Sequence, residues 1–409
     1  MRTTHLTAIV SLIALAAISA FYVTTSPAQD ADMPAARLPG AKPVIDASRY
    51  PTLQAAIDAL PDDGGAVRLP PGTFEISEPL RISTSDVLLE GAGTATHIKN
   101  VNAEGKSALI LQHSSGAENR KAELWRVRLA NFRITGNEKS GHGIEARRIN
   151  EIFVEGVTVS YHGGDGIQLY YCYEDPRICD SLVTYNKKTG LNLIGCHDIV
   201  VSANQFEENQ DAVRCFDGFN LCMTGNNLDD HLGNGVVIEN TYGSVVSGNM
   251  IEECRGAAIV LDRDCYGIAL SANVIAHNTA GGIQLRDAHG CAVSANTFTI
   301  MGVDALSIGP ESGRITVTGN NFSDSYIGDD KLRRAENDRS AGGMSLNGTL
   351  DVTVVGNLFS GLRPKALAVK GKPSTRILFG GNVLADAVSE DDKLDASLVT
   401  DNLKPTGGK

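Results

Sequence analysis

Through the second half of the chain, apolar residues fall in short paired runs where every second position is apolar. A period of two belongs to strand. The stretches GLNLIGCHDIVVSANQF, GVVIENTYGSVVSGNMI and GGIQLRDAHGCAVSANTF show it best. In the first, Leu191 and Leu193 flank Asn192, and Ile199 and Val201 flank Val200. The i, i+3, i+4 spacing of a helix is missing from these stretches, and Gly and Asn punctuate the ends of the runs. One Asn per unit recurs at nearly constant spacing: Asn204, Asn226, Asn249, Asn273, Asn296, Asn320, Asn357 and Asn382, in steps of 22, 23, 24, 23, 24, 37 and 25 residues. Two positions after each stands a large apolar residue, from Phe206 and Leu228 to Phe359 and Leu384. A fixed period of this size predicts a repeat architecture.

A unit of about 23 residues with strand–turn–strand–turn content is one coil of a parallel β-helix, in which coil stacks on coil. The pattern predicts an all-β, single-domain solenoid of ten to twelve coils of 22–25 residues. Equivalent residues then stand ~4.8 Å apart, the spacing of neighbouring strands. The Asn column becomes a ladder at a tight turn, a scaffold role suited to a side chain that bonds backbone and tolerates left-handed conformation. The repeat weakens toward the N-terminus but persists through SGHGIEARRINEIFVEGVTV and GDGIQLYYCYEDPRICDSLV, so coils are expected from about residue 85. Before them, Leu53, Ala56, Ile57 and Leu60 sit at helical spacing between Pro51 and Pro61. This predicts a short amphipathic helix covering the open end of the stack, within an N-terminal cap over residues 45–84. The long step places an inserted, charged loop at residues 324–340, inside a β-helix running from 85 to 388. Residues 389–409 read as an acidic and polar tail of low order.

The first residues carry a different signal. Residues 8–23, AIVSLIALAAISAFYV, form an apolar run behind Arg2 and His5, with SPAQD after it. This predicts a secretory signal over residues 1–28, a linker over 29–44, and a secreted or periplasmic protein, with an uncleaved anchor as the alternative. The first Cys is Cys172, so a lipoprotein is excluded. The formal charge of −12 speaks against nucleic acid and anionic membrane as partners. The eight Cys lack any metal-binding spacing. Cys172 and Cys179 bracket YEDPRI and are the expected disulfide of an exported chain. Cys196 and Cys265 fall in one column, three coils apart, too far to bond.

Strand alternation lets the outward residues be read as two columns. The first runs Glu145, Gln168, Asn192, Arg214, Val237, Val260, Gln284, Ser307; the second runs Arg147, Tyr170, Ile194, Phe216, Glu239, Asp262, Arg286, Gly309. Glu239 and Asp262 then face each other across one coil step, with Arg286 one step beyond and Arg214 one step before in the adjoining column. Two carboxylates about 5 Å apart cannot both ionise freely, and this is the separation a retaining glycosidase uses. The pair could equally hold Ca²⁺, and no other cofactor is called for. With Arg214 and Arg286 beside it, the site could instead neutralise a uronate carboxylate and support β-elimination. The bland alternative is a charge ladder on an exposed sheet. Tyr170, Tyr171 and Phe216 are candidate platforms for sugar rings, with Gln168 beside them. The turn residues Asp217, Arg263, Asp264, Asp287 and His289 crowd the same edge, and His289 is a candidate base.

The opening LQAAIDALPDDGGAVRLPPGTFEI resembles the first segment of the pectate-lyase-like superfamily of right-handed parallel β-helices, and the Asn-bearing coils resemble its β-helix repeats, over roughly residues 45–385. The resemblance implies a carbohydrate-active protein: polysaccharide lyase, polygalacturonase-type hydrolase, uronan epimerase or phage-type depolymerase. It also implies that trimers are common, with the groove between subunits. The motifs that separate these activities are missing as sets. Gly141–His142–Gly143 matches one polygalacturonase element without the other three, and Glu174–Asp180 echoes the alginate-epimerase DPHD motif with Arg177 in place of its His. Two functions stay open: an enzyme acting on a uronate-containing polysaccharide by elimination or by carboxylate-pair hydrolysis, and a β-helix that binds glycan or a protein partner without turnover.

Overall fold

The computed structural model describes residues 38–324, except 117 and 120, and residues 342–404, except 363, 364 and 386. The expected signal segment, the linker through residue 37 and loop residues 325–340 lie outside the described residues. None of the helices among the described residues is long and apolar enough to cross a membrane.

From Lys42 onward the chain winds into a right-handed parallel β-solenoid. Each full coil gives a short strand to each of three sheets, and two coils split their strand in the first sheet (Cys265–Tyr266 with Ala269–Ser271, Ala288–His289 with Ala292–Ser294), so that the sheets hold 17, 12 and 13 strands. The stack therefore runs past the ten to twelve coils expected. Strand pairing is parallel and in register throughout, one coil against the next. Stacking also begins earlier than residue 85, since Val44–Asp46 pairs with Gly65–Arg68 and that strand with Val87–Glu90. The helix Leu53–Asp58 lies among these first strands, capped by the Thr52 hydroxyl. Gln54 ties it to the Arg81 backbone through bonds of 2.8 and 3.2 Å.

The period of two explains the core. The apolar residue two places after each ladder Asn points inward and stacks on its counterpart, as in Ile275↔Phe298↔Phe322↔Phe359. The Phe298 and Phe322 rings lie 4.8 Å apart and within 2° of parallel. Each buried side chain of this size contributes about 1.5–3 kcal/mol through its removal from water.

The Asn ladder forms as the spacing predicts. The Asn273 Nδ2 donates to the Asn296 Oδ1 at 3.0 Å and to the Val246 carbonyl at 3.0 Å. Its own Oδ1 accepts from the backbone and side-chain nitrogens of Asn249 at 3.0 Å. The same set repeats from Asn204 to Asn382 and continues to Asn402. Residues 389–404 are thus part of the stack rather than a loose tail: Leu398–Thr400 pairs with Leu378–Gly380. The sequence hid this because Asn402 follows Asn382 by only 20 residues and Lys404, not an apolar residue, stands two places after it.

A second buried column runs beside the first: Asn186, Asn209, His231, Cys254, Asn278. His231 stands in this column between Asn209 and Cys254. Its Nδ1 accepts from the Asn209 N–H at 3.2 Å, while its Nε2 is buried without a partner. Burial pushes His231 down to about 4 from an ordinary 6.5.

Two outcomes follow from these columns. Asn273→Ala takes one partner each from the Asn249 N–H, the Asn249 amide and the Val246 carbonyl in the interior, and should cost on the order of 3 kcal/mol in urea unfolding. His231 binds a proton more tightly in the unfolded chain, so its contribution to stability is whole above about pH 6.5 and falls as pH drops toward about 4. His231→Asn should flatten the loss of stability between those values, on the order of 3 kcal/mol at most, when unfolding midpoints are compared at several pH values.

Candidate functional site

The outer face of the 12-stranded sheet carries both expected columns, in the expected register. Glu145 pairs with Gln168, Gln168 with Asn192, Asn192 with Arg214, and Phe216 with Glu239. Glu239 stands directly opposite Asp262. Arg286 follows on the next coil, its N–H bonded to the Leu261 carbonyl at 2.9 Å.

The chemistry of the carboxylate pair depends on what surrounds it. Glu239 is only 7 % exposed. Its Oε2 accepts from Arg214 at 2.6 and 2.8 Å, and its Oε1 faces the Arg263 Nε at 3.1 Å. Phe216 packs under both guanidinium groups, 5.6 and 6.0 Å from its ring centre. Asp262 accepts from the Arg263 backbone at 2.9 Å and faces the Arg286 guanidinium at 3.6 Å. Glu239 is thus bridged by two arginines, each of its oxygens facing one guanidinium group. Among the described residues, the groups with ligand atoms close enough for one cation are Asp264–Asp287–His289 and Asp229–Asp230–Glu253, and neither includes Glu239 or Asp262.

The remaining expected residues line the same face and its edge. The Arg147 guanidinium lies 5.2 Å above the Tyr170 ring, and Arg148 lies 5.1 Å from Tyr171. Gln168 donates to Asp165 at 3.2 Å. Asp217 accepts from Asn240, and Asp287 from the Asp264 N–H at 2.8 Å. His289 stands 3.6 Å from Asp287 and pairs with Tyr266 on the preceding coil. Cys172 and Cys179 do not meet. Both are free thiols, Cys172 buried in the coil wall and Cys179 at the outward end of the strand Arg177–Cys179, near Glu155 and Arg128.

Two features of the face were not singled out from sequence. The first is a His–Asp pair one coil step apart, His142 and Asp165. The His142 Nδ1 accepts from the Asp165 backbone N–H at 3.0 Å and lies 3.3 Å from Asp165 Oδ2. Asp165 is 3 % exposed, and accepts from Asn192 Nδ2 and the Thr189 N–H, each at 3.0 Å. Burial works against its charge, but the bonds from His142, Asn192 and Thr189 outweigh it and hold the carboxyl below the usual range. His142 keeps 21 % of its side chain exposed. Beside it, Glu145 accepts from the Ser107 hydroxyl at 2.7 Å and from Arg147 at 2.7–2.8 Å. Burial opposes its charge too, and those two partners again hold it low. Asn192 is 8 % exposed, and its Oδ1 is buried without a partner. The signal was legible: Gly141–His142–Gly143 and Gly164–Asp165–Gly166 stand 23 residues apart. A Cβ on Gly143 would meet the Gly166 carbonyl at 2.6 Å, so the strand entry closes tightly there.

The second is a ladder of rings around the corner from Glu239: Tyr173, His197, Phe219, Tyr242, Tyr266 and His289, one per coil. Its steps of 24, 22, 23, 24 and 23 residues match the repeat.

The comparisons agree with this architecture. The family model described as Right handed beta helix region matches residues 85–249 and 178–322. Among solved structures, the mannuronan C-5 epimerase AlgE6 A-module of Azotobacter vinelandii is similar at a TM-score of 0.58 and 17 % identity, over 88 % of this chain and 100 % of that one. DFA-IIIase from Arthrobacter chlorophenolicus A6 gives 0.58 and 15 %, over 88 % and 99 %. A mutant of the periplasmic alginate epimerase AlgG gives 0.50 and 12 %, over 89 % and 84 %. At these identities the likeness is one of fold. No curated protein matches the sequence.

The two arginines on the sheet face should respond differently to removal. Arg214→Ala leaves buried Glu239 with one partner and should cost about 2–4 kcal/mol in urea unfolding. Arg286→Ala breaks an exposed pair and should stay within about 0.5 kcal/mol.

Proposed function

This chain belongs to the right-handed β-helix family, and from that premise we propose that it is an enzyme acting on a uronate-containing polysaccharide laid along the outer face of the 12-stranded sheet. The observation that carries the reading is the His142–Asp165 pair: a partly exposed imidazole beside a buried carboxylate that Gln168, Thr189 and Asn192 also bond. As the ring stands, Nδ1 accepts from the Asp165 N–H; to act as a base the imidazole turns so that a proton on Nδ1 points to Asp165 Oδ2, 3.3 Å away, which leaves the Nε2 lone pair for substrate. Arg147, anchored by Glu145 on the same coil, neutralises the carboxylate of the sugar in front of His142. His142 then takes the proton beside that carboxylate. In elimination, the electron pair released forms the carbon–carbon double bond, and the glycosidic oxygen leaves with the bonding electrons.

Further along the polymer, Arg214, Arg263 and Arg286 meet successive acidic groups, held upright by Glu239 and Asp262. Arg214 stands three coil steps from Glu145, about 14 Å, so these arginines serve neighbouring sugars rather than the reacting one. Structures of similar fold include proteins named as mannuronan and alginate epimerases, which supports uronates as the class to test first. Export to the periplasm or medium fits an apolar N-terminal run and a polymeric substrate.

A second reading, glycan binding without turnover, draws on the exposed aromatic ladder: Phe219, Tyr242 and Tyr266 are 43, 51 and 46 % exposed.

The deciding measurement incubates the protein with a panel of uronate polymers in heavy water. Wild type should exchange the proton beside the carboxylate, with ultraviolet absorbance rising if elimination follows. His142→Ala should lower the rate about 100-fold or more, and Asp165→Asn should lower it as well while polymer binding persists. Binding without exchange on every polymer bound would overturn the catalytic reading in favour of the second.

A further inference from the structure

Eight thiols are free and six are buried, and register singles out one pair among them. Arg147 pairs with Tyr170 and Tyr170 with Ile194, so Cys172 and Cys196, each two residues beyond a paired strand end, take the same turn on successive coils. Their surroundings repeat with them. The Cys172 Sγ lies 3.8 Å from the Ala146 carbonyl and 3.9 Å from that of Tyr170. The Cys196 Sγ lies 3.5 and 3.6 Å from the carbonyls of Leu169 and Ile194, the register partners of Ala146 and Tyr170. The His197 N–H donates to the Cys172 carbonyl at 3.2 Å and ties the two turns together. The two thiols stand close enough for each to bias the ionisation of the other. The column continues as Gly218, Thr241 and Cys265, and the Cys215 sulfur fills the space beside Gly218, but Cys172 and Cys196 alone share the same turn position on successive coils. Backbones one coil apart stand about 4.8 Å from each other, inside the window of about 4.4–6.8 Å that a disulfide spans.

We propose that Cys172 and Cys196 form a coil-to-coil disulfide when the chain folds in the presence of a small-molecule disulfide such as oxidised glutathione. One thiolate attacks the donor disulfide, making a mixed disulfide and releasing one reduced thiol. The second thiolate displaces the second reduced thiol from that intermediate. The two cysteines lose two electrons and two protons, and the donor gains them. Both sulfurs are buried in the finished stack, so the bond closes as the two coils come together. It staples the turns that carry Tyr173 and His197, whose rings are 4.5 Å apart, at the aromatic end of the sheet face. The pairing depends on register alone and stands whether or not the face is catalytic.

The test refolds the full chain in an oxidising glutathione buffer, records its circular dichroism, then alkylates free thiols in denaturant so that buried ones react, and maps the peptides by mass spectrometry. The expected result is a peptide pair linked through Cys172 and Cys196 that dithiothreitol separates, with a thermal midpoint several degrees above that of the reduced protein. In Cys196→Ser, Cys172 should become alkylated. Alkylation of both residues in wild type with a native circular dichroism spectrum would overturn the proposal, as would linkage of either to Cys179. The wild-type map decides the question even where the variant fails to fold.

Discussion

The bond from one Asn side chain to the next is the constraint on which the rest depends. Each ladder Asn gives its amide to the Asn oxygen of one neighbouring coil and to a backbone carbonyl on the other side, and takes the Asn amide and a backbone N–H in return. These groups are buried, so a slip by one residue would leave several polar atoms unpaired in the interior. The ladder therefore fixes which residue stands above which, from Asn204 to Asn402. The stacked Phe298, Phe322 and Phe359 rings reinforce the same register from inside the coil.

Fixed register turns sequence distance into geometry. Residues 22 to 24 positions apart become neighbours, and side chains too short to reach far gain defined partners. His142 meets Asp165 through this step, and Glu239 meets Asp262. The two pairs then diverge because of what else stands at the same height. Glu239 is bridged by Arg214 and Arg263, each of its oxygens facing one of them. Asp165 is surrounded by neutral donors, so its charge is held in place for the one titratable neighbour, His142. A buried carboxylate between guanidinium groups is a structural anchor. One that faces an imidazole in a partly open setting is what the proposed proton transfer rests on.

The scaffold was legible because a repeat states the same message many times. Asn273 in isolation is one polar residue; in a column of eight it is a ladder. Legibility failed where the message was stated once or altered. Asn402 breaks both the spacing and the apolar echo, so the final coil read as tail. The second column mixes Asn with His231 and Cys254, which hid it. His142 was visible in Gly141–His142–Gly143, but its meaning lies in Asp165, a residue of no local distinction. The ring ladder from Tyr173 to His289 obeys the period fully, yet rings scattered among Tyr, His and Phe do not look like one column until they are stacked. Cys172 was matched to Cys179 by nearness in sequence, whereas alternation turns one inward and the other outward.

The sequence by itself determined the period, the parallel solenoid, the two outward columns and the neighbours along them. It could do so because period-two alternation and the coil repeat are local properties, summed over many units. Only the tertiary structure decided which charged groups satisfy one another. That depends on where flexible side chains of different coils meet: Arg263 reaches back to Glu239 across the turn, and Asn192 reaches over to Asp165. Such contacts are chosen by burial and by competition among donors at one height of the stack. Neither quantity exists until the coils are stacked.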